Sequence, residues 1–466
     1  MLTGLLRTRG QRLEPGARLE LERAAGGLLA LAGESGFVWR SPERTLVTAG
    51  TAARIPAPTG PRRLERLAAR VQSLLAEAAP DGLDGPDGPD GTRGQPGGSI
   101  GARDREPGAR DRGPGARGLA GRGVPLAVGA IPFDDRSPGE LVVPALVLEP
   151  APDGGLQAST FAFGAEPPDP AELARKLAAR AAREDWPRRA TVTSRWERPE
   201  WRAAVETILR AIEAGWLDKA VLAREVTVEA DRPFGRAAVL GRLAERTAGS
   251  APGRPGGSYL FASGGFVGAT PELLVARHGR LAISRPLAGT VPRGATPAEE
   301  ARRQAWLRSS VKEALEHRLV VEAVVGGLAK AAERVEIAPT DVVRLPTVAH
   351  LATAITAGLG KPAPSALDLV ALLHPTPAVA GTPREAALGL LAALEPGGRG
   401  LYGGPVGWID AAGDGEWAVA LRCASLSGRR ARLFAGAGIV AGSDPDAEWD
   451  ETASKLQAML DVLTGP

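Results

Sequence analysis

The grouping of strand-like and helical segments is the feature that most constrains the fold of this chain. From about residue 194 onward, short apolar runs typical of β-strands occur in groups, and long patterns typical of helices separate these groups. The last group covers 404–410, 417–425 and 431–441, and a helical pattern over 445–463 follows it. Single strands alternating with single helices would favour a parallel sheet. The observed grouping instead predicts helices packed against antiparallel or mixed sheets, which is an α+β fold.

A low-complexity segment at about 80–123 interrupts the first half of the chain. Glycine recurs there at every third position from 82 to 97, and a seven-residue near-repeat follows. Such a composition buries too little apolar surface to offset the entropy of ordering the chain. Strand-like runs lie on both sides of the segment, so we interpret it as a disordered insertion inside one folded unit. We predict an N-terminal β-rich part over 1–193 and the core of the same fold over 194–466.

The composition excludes several classes of protein. The net charge of +3, the aromatic content of 4% and the lack of a sustained Lys/Arg run argue against a nucleic-acid partner. The single cysteine, Cys423, excludes an intramolecular disulfide and a thiolate zinc cluster. No apolar stretch has the length of a membrane helix, and the first residues are too weakly apolar for a signal peptide. We therefore expect a cytoplasmic protein.

Lysine is scarce in this chain, which makes each lysine informative. Of 57 Lys and Arg residues, only those at 176, 219, 312, 330, 361 and 455 are lysine. Arginine does not lose its proton in a protein, whereas a desolvated lysine can. Lys219 directly precedes a strand-like run over 220–228, so it is a candidate general base. The alternative is that Lys219 ends a helix and extends its charged group to solvent.

Two helical patterns carry carboxylates at helical spacing. In the last one, Glu448, Glu451 and Lys455 lie on one face, either as part of a site or as a solvated stripe. In the long pattern over about 297–331, Glu316 lies one turn beyond Lys312. If the two faces meet, their oxygens form a site for a hard cation such as Mg²⁺.

A further carboxylate, Glu272, lies among apolar residues. A desolvated carboxyl has a raised pKa and can donate a proton near neutral pH. The alternative is a glutamate in the first turn of a helix after Pro271, where the helix dipole favours it.

The order of several motifs along the chain carries a family resemblance. The match covers about 195–462, and the chain resembles the chorismate-utilising enzymes, in particular those that form isochorismate. It rests on Lys219-Ala-Val-Leu-Ala-Arg224, Gly268-Ala-Thr-Pro-Glu-Leu-Leu274, Pro286-Leu-Ala-Gly-Thr290, Glu316-His317, His374-Pro-Thr-Pro377, Arg399-Gly-Leu-Tyr-Gly-Gly404, Leu421-Arg422, Gly436-Ala-Gly-Ile-Val440 and Glu448-x-x-Glu451-x-x-x-Lys455. The resemblance implies one large chorismate-binding domain of stacked antiparallel or mixed sheets with flanking helices.

The resemblance also implies roles for individual residues. Lys219 matches the base that activates water to attack ring C2, and Glu272 matches the acid that protonates the departing C4 hydroxyl. The remaining matches surround the substrate or an Mg²⁺ cofactor. The implied metal ligands are Glu316 and Glu451, with Glu448 and Glu313 close by, and the implied substrate-binding residues are His350, Tyr402, Arg422, Gly436, Gly438 and Lys455.

Three positions separate the subfamilies that the chain resembles. Anthranilate and aminodeoxychorismate synthases usually carry Gln at the position of Lys219, and the latter tend to carry Lys at the position of Ala288. Salicylate synthases share the lysine but carry Thr at the position of Ala378. The resemblance therefore implies Mg²⁺-dependent, reversible formation of isochorismate by a monomer, for menaquinone or catechol siderophore biosynthesis. The alternatives are salicylate synthesis, in which pyruvate is eliminated, and a chorismate-binding protein without catalysis.

Overall fold

The computed structural model describes residues 5–77, 123–180, 186–247, 257–345 and 347–465. Apart from Gly123, the predicted insertion at 80–123 lies outside these described residues. The described ranges contain 24 strands and ten α-helices, together with a 3₁₀ turn at Leu28–Ala32. None of their helices is long and apolar enough to cross a membrane.

The strands, in chain order, are β1 Leu6–Leu13, β2 Phe37–Arg40, β3 Thr45–Ala49, β4 Ala53–Ala57, β5 Leu126–Ala130, β6 Gly139–Val143, β7 Leu146–Pro150, β8 Leu156–Phe163, β9 Ala190–Ser194, β10 Lys219–Ala230, β11 Tyr259–Ser263, β12 Phe266–Thr270, β13 Leu273–His278, β14 Leu281–Arg285, β15 Leu287–Pro292, β16 Ala332–Ile337, β17 Asp341–Arg344, β18 Val348–Ala352, β19 Ile355–Leu359, β20 Gly381–Thr382, β21 Pro405–Asp410, β22 Gly415–Val419, β23 Cys423–Ser427 and β24 Arg430–Val440. The helices are α1 Pro15–Ala25, α2 Arg63–Ala76, α3 Pro170–Arg180, α4 Arg198–Glu213, α5 Arg236–Thr247, α6 Pro297–Ser309, α7 Val311–Leu328, α8 Ala366–Leu373, α9 Arg384–Leu394 and α10 Pro445–Thr464.

Three antiparallel sheets organise these strands. The first, sheet A, runs in the order β1-β8-β7-β3-β2-β11-β12-β23-β24-β10-β20, with β9 also paired to β10. The second, sheet B, runs in the order β16-β19-β14-β13-β22-β21-β5-β6-β4, and a small third sheet is β15-β18-β17. Strands from before and after residue 194 are neighbours in both large sheets, at β2–β11 and at β5–β21. The predicted α+β architecture of stacked antiparallel sheets with flanking helices is confirmed.

The two large sheets enclose the main core, and strand periodicity shows how. Along β2, Phe37 and Trp39 pack into the core shared with sheet B, whereas Val38 packs into the core on the other face of sheet A. Successive strand side chains point to opposite faces, so one strand serves two cores. Helices α5 and α10 cover the second face, where Leu243 and Met459 meet the strands.

The prediction of one long helix over about 297–331 is wrong in one respect. The structure has two helices there, α6 and α7. The chain leaves helical geometry at Ser310, which has a ψ of 118°. The Ser310 side chain accepts a hydrogen bond from the backbone N–H of Glu313 and so begins α7. Serine favours such N-cap positions because its oxygen satisfies an N–H that has no partner within the helix. The break sets the direction of α7, which carries Glu313 and Glu316.

Candidate active site

One small cavity gathers eight of the eleven site residues predicted from the sequence. They come from β18, β24, α7, α10 and the loops that follow β12, α9 and β22. These eight residues are Glu272, Glu316, His350, Tyr402, Arg422, Gly436, Gly438 and Lys455. The other three, Lys219, Glu448 and Glu451, lie behind the cavity wall and form ion pairs with lysines or glutamates there.

Lys219 begins β10 and is fully buried, so the alternative of a lysine reaching solvent is wrong. Its Nζ lies 3.0 Å from Glu316 Oε1 on α7. The adjacent strand β24 leaves room for this pair because residue 438 is glycine. A Cβ at Gly438 would overlap Glu316 Oε1 and come within 2.9 Å of Lys219 Cε. The pair therefore depends on a glycine that the sequence pattern alone did not explain.

Glu272 lies in the short connection between β12 and β13, so the alternative of a first-turn helix residue is wrong. Its backbone is fixed by the N–H of Val419, which donates to the Glu272 carbonyl at 3.1 Å. Among the described residues, no hydrogen bond or ion pair reaches its carboxyl group. Burial raises the pKa of Glu272 to about 8, although the charges of Lys219, Arg422 and Lys455 oppose this shift. The carboxyl can therefore hold a proton at neutral pH.

Arg422 and His350 form a polar pair on another wall of the cavity. His350 Nδ1 lies 3.0 Å from the Gly289 carbonyl, and Arg422 lies 3.3 Å from His350 Nε2. Burial lowers the pKa of His350 to about 3, so its ring is neutral, donates from Nδ1 and accepts from the arginine. Arg422 has a φ of 48°, which is uncommon outside glycine. Such backbone strain persists where the surroundings fix it, commonly at functional sites.

The remaining predicted residues form an acidic cluster on α7 and α10. Lys312 Nζ lies 2.6 Å from Glu448 and 3.3 Å from Glu313, and Lys455 Nζ lies 2.5 Å from Glu451. Burial, together with the charge of Glu451, raises the pKa of Glu448 to about 7. Glu448 is 1% exposed, so the alternative of a solvated stripe is wrong for this residue.

Sequence reasoning gave no role to Lys312, although the scarcity of lysine pointed to it. Three of the six lysines in the chain, Lys219, Lys312 and Lys455, pair with glutamates of this one site. The resemblance implied that Glu313 lies close to the metal ligands, and in the structure its Oε2 accepts a hydrogen bond of 2.8 Å from the backbone N–H of Thr290. That contact fixes β15, in which Thr290 is paired in register with His350.

The acidic cluster fits a hard divalent cation in its chemistry. Its donors are all carboxylate oxygens, which Mg²⁺ prefers. Each carboxylate forms an ion pair with a lysine. Among the described residues, the carboxylate oxygens of Glu316, Glu448 and Glu451 do not all lie within 4.8 Å of one another. The three ammonium groups therefore supply the positive charge that the cluster requires. Glu316, Glu448 and Glu451 are the residues that would hold the ion.

The chain has close relatives among characterised proteins. The model of the family described as chorismate binding enzyme matches residues 169–464. Isochorismate synthase DhbC of Bacillus subtilis (strain 168) is 32% identical over 445 residues, which cover 92% of this chain and 93% of that protein. Isochorismate synthase EntC of Escherichia coli (strain K12) is 36% identical over 350 residues, covering 73% of this chain and 81% of that protein.

A solved structure supports the same relationship at the level of the fold. The structure of MenF, the menaquinone-specific isochorismate synthase from Escherichia coli, matches with a TM-score of 0.72 at 24% identity. The match covers 99% of this chain and 95% of that one. The family resemblance predicted from the ordered motifs is confirmed, and the chain belongs to the chorismate-binding enzyme family.

Proposed function

We propose that this protein is an Mg²⁺-dependent isochorismate synthase, which converts chorismate reversibly into isochorismate. The observation that carries the proposal is a buried carboxyl group in the cavity close to a buried amine in the cavity wall. Glu272 is a buried carboxyl with a pKa raised to about 8, and it lies near the buried amine of Lys219. A site with a proton donor and a candidate base is what an exchange of hydroxyl groups on a ring requires. The curated relatives named above, which are isochorismate synthases, support the same conclusion.

The polar residues of the cavity suit a substrate with two carboxylates. Arg422 and Lys455 bring positive charge to the cavity, and Gly436 and Gly438 let a ligand approach the backbone of β24 closely. Guanidinium groups bind carboxylates through two parallel hydrogen bonds, which fixes orientation as well as affinity. His350 accepts from Arg422 and so positions the guanidinium. Recognition of chorismate thus follows from groups that the fold already holds in place.

The reaction can be written with every atom accounted for. Lys219 Nζ takes a proton from a water molecule as its oxygen forms a bond to ring C2. The ring double bonds shift, and the bond from C4 to its hydroxyl oxygen breaks. Glu272 gives its proton to that oxygen, which leaves as water. One water enters and one leaves, so the net change is an isomerisation. In the reverse direction Glu272 is the base and Lys219 is the acid.

The pairing of Lys219 with Glu316 explains why a cation belongs in this proposal. Lys219 Nζ forms an ion pair with Glu316 at 3.0 Å, and a lysine accepts a proton only in its neutral form. Glu316, Glu448 and Glu451 would hold Mg²⁺, whose charge would satisfy Glu316 and the ring carboxylate of the substrate. With Glu316 bound to the cation, Lys219 would leave the ion pair and would be free to act as the base.

Two of the three positions that separate the subfamilies line the cavity. Ala288 and Ala378 both face the space in which a substrate would lie, and Lys219 is directly behind its wall. A methyl group at each position leaves the cavity without the extra amine or hydroxyl that the related synthases carry there. This arrangement supports formation of isochorismate without a following elimination.

The experiment is an assay of the purified protein with chorismate and Mg²⁺, in which isochorismate and pyruvate are both quantified. We expect isochorismate to accumulate without pyruvate. Pyruvate released in proportion to chorismate consumed would identify a salicylate synthase, and binding without turnover would identify a non-catalytic protein. Lys219→Ala should abolish turnover, whereas Lys330→Ala, at an exposed lysine on the surface, should not change it.

A further inference from the structure

A second cluster of potential metal ligands lies between the two large sheets, away from the cavity. Glu43 lies in the turn between β2 and β3 of sheet A, whereas His278 and Glu416 lie on β13 and β22 of sheet B. Glu416 is paired in register with Ala276, so His278, two residues further along β13, lies on the same face of the sheet. One ligand atom from each of the three residues lies within 4.8 Å of the others.

Glu416 is a buried carboxyl group that hydrogen bonds hold in place. It is 3% exposed, and its Oε2 accepts hydrogen bonds from the indole N–H groups of Trp39 at 2.7 Å and Trp408 at 3.2 Å. Within the described residues, no lysine or arginine forms an ion pair with it. Buried charges in proteins are normally paired or bind a metal. The two indoles act as the outer hydrogen-bonding partners that fix a ligating carboxylate.

His278 provides the second indication. Its Nε2 lies 3.5 Å from Glu43 Oε2, is shielded from solvent and makes no hydrogen bond among the described residues. The chain has four histidines, and the other three are at most 6% exposed. The His278 side chain is 29% exposed, so it is the most exposed of the four histidines. Glu43, which is exposed, stands at the mouth of the cluster.

We propose that Glu43, His278 and Glu416 bind one first-row divalent cation of the Zn²⁺ type. One imidazole nitrogen and two carboxylate oxygens form a mixed set that suits Zn²⁺, whereas an all-oxygen set suits Mg²⁺. The ion would neutralise Glu416 and tie the β2–β3 turn of sheet A to two strands of sheet B. The cluster offers three side-chain ligands, so a fourth would have to come from water. The expected effect is on the stability of the pairing between the sheets, independent of the chemistry in the cavity.

The test uses the full-length protein freed of metal with a chelator and kept in excess Mg²⁺, so that the acidic cluster of α7 and α10 is not the reporter. Co²⁺ is titrated in and followed by its visible absorption, and Zn²⁺ is then added as a competitor. We expect one Co²⁺ per chain, displaced by one equivalent of Zn²⁺. His278→Gln and Glu43→Gln should each weaken Co²⁺ binding by at least about tenfold. Zn²⁺ should raise the unfolding temperature of the unmodified protein and not that of His278→Gln.

Glu333→Gln is the matched control, because Glu333 is an exposed carboxylate paired with Arg280 at another edge of sheet B. It should bind Co²⁺ as the unmodified protein does. Both substituted ligands are at least partly exposed, so folded variants are expected, and far-ultraviolet circular dichroism checks this. Equal Co²⁺ affinity in His278→Gln and the unmodified protein would overturn the proposal. Lack of binding by the unmodified protein at millimolar Co²⁺ would also overturn it and leave a cluster held by ion pairing alone.

Discussion

Two buried carboxyl groups on different walls of the cavity have pKa values shifted in opposite directions. Glu272 and Glu316 are both buried and both face the space between β24 and the β12–β13 connection. Burial raises the pKa of Glu272 to about 8. For Glu316, burial acts in the same direction, but Lys219, Lys312 and Lys455 outweigh it and hold the pKa below its usual value. One wall therefore keeps a proton at neutral pH, and the other keeps a negative charge.

The charges beside each carboxyl group, and not its depth in the protein, therefore decide its protonation state. Lys219 approaches Glu316 to 3.0 Å, whereas it acts on Glu272 only through its longer-range charge. A proton donor and a charged partner of the lysine can thus be placed within one small cavity. Environments that push two carboxyl groups apart are how one fold performs acid and base chemistry at a single pH.

We expect the greatest loss of activity from replacing the proton donor, Glu272. Glu272→Gln keeps the shape of the side chain but cannot protonate the departing hydroxyl. We expect kcat to fall by about 10²–10⁴-fold, the usual contribution of general acid catalysis. Chorismate affinity, measured by equilibrium titration, should change little, because the carboxyl makes no ion pair in the described structure. Undiminished kcat in this variant would show that Glu272 is not the proton donor.

On the opposite wall, Glu316→Gln should act first on stability. It leaves the ammonium of Lys219 buried without its partner, and breaking a buried pair in this way costs about 3–5 kcal/mol. Since the folded pKa of Glu316 is depressed, its stabilisation is present above the unfolded pKa and is lost as the pH falls. The deficit of Glu316→Gln in urea unfolding should therefore be large at pH 7 and shrink in acid.

Glu333→Gln, which breaks an exposed pair, is the control for this experiment and should lose little stability at any pH. A deficit for Glu316→Gln that is small, or that does not depend on pH, would mean that its pairing with Lys219 does not hold the wall together.

Part of this site could be predicted from the sequence, because some of its signals are local. Helical spacing placed Glu448, Glu451 and Lys455 on one face, and α10 carries all three. The scarcity of lysine pointed to Lys219, which is buried in the wall. The family and the fold class were also predicted correctly, because several motifs in a fixed order are more specific than any one of them. The catalytic and metal-binding roles stay predictions.

The rest depends on contacts between residues far apart in the chain, which no local pattern contains. Glu43 and Glu416 meet because a turn of sheet A packs over sheet B. The break at Ser310 was hidden because serine also occurs within helices, and only the packing of α7 decides that it is a cap. Register and packing, which distinguish a buried Glu448 from a solvated one, are properties of the assembled sheets.

The pH dependence of the reaction tests the raised pKa of Glu272 directly. Glu272 is protonated below its pKa of about 8, so kcat/KM for chorismate should fall as the pH rises through that value. The decline should approach about tenfold per pH unit, and it should be absent from the residual activity of Glu272→Gln. The same raised pKa makes Glu272 stabilise the fold fully below its unfolded pKa and lose that contribution as the pH rises through about 8. A decline that survives in Glu272→Gln would assign it to another group.

The smallest changes in stability are expected from alanine substitutions at two glycines. One glycine lies beside Glu316, and the other lies on the exposed face of α7. Gly438→Ala pushes a methyl group against Glu316 and Lys219 but not against Glu272. Overpacking of this kind costs about 1–3 kcal/mol, so the variant should unfold at lower urea. Gly326→Ala, on an exposed face of α7 with open space around it, should instead gain about 0.5–1 kcal/mol.

Both alanine variants should keep the decline of kcat/KM near pH 8, because neither touches Glu272, but only Gly438→Ala should lose activity below it. If Gly438→Ala is as stable and active as Gly326→Ala, the Lys219–Glu316 pair has room to move. Close packing at Gly438 would then not be needed to keep Glu316 next to Lys219. The opposite pKa shifts of the two carboxyl groups would have to arise from the lysine charges alone.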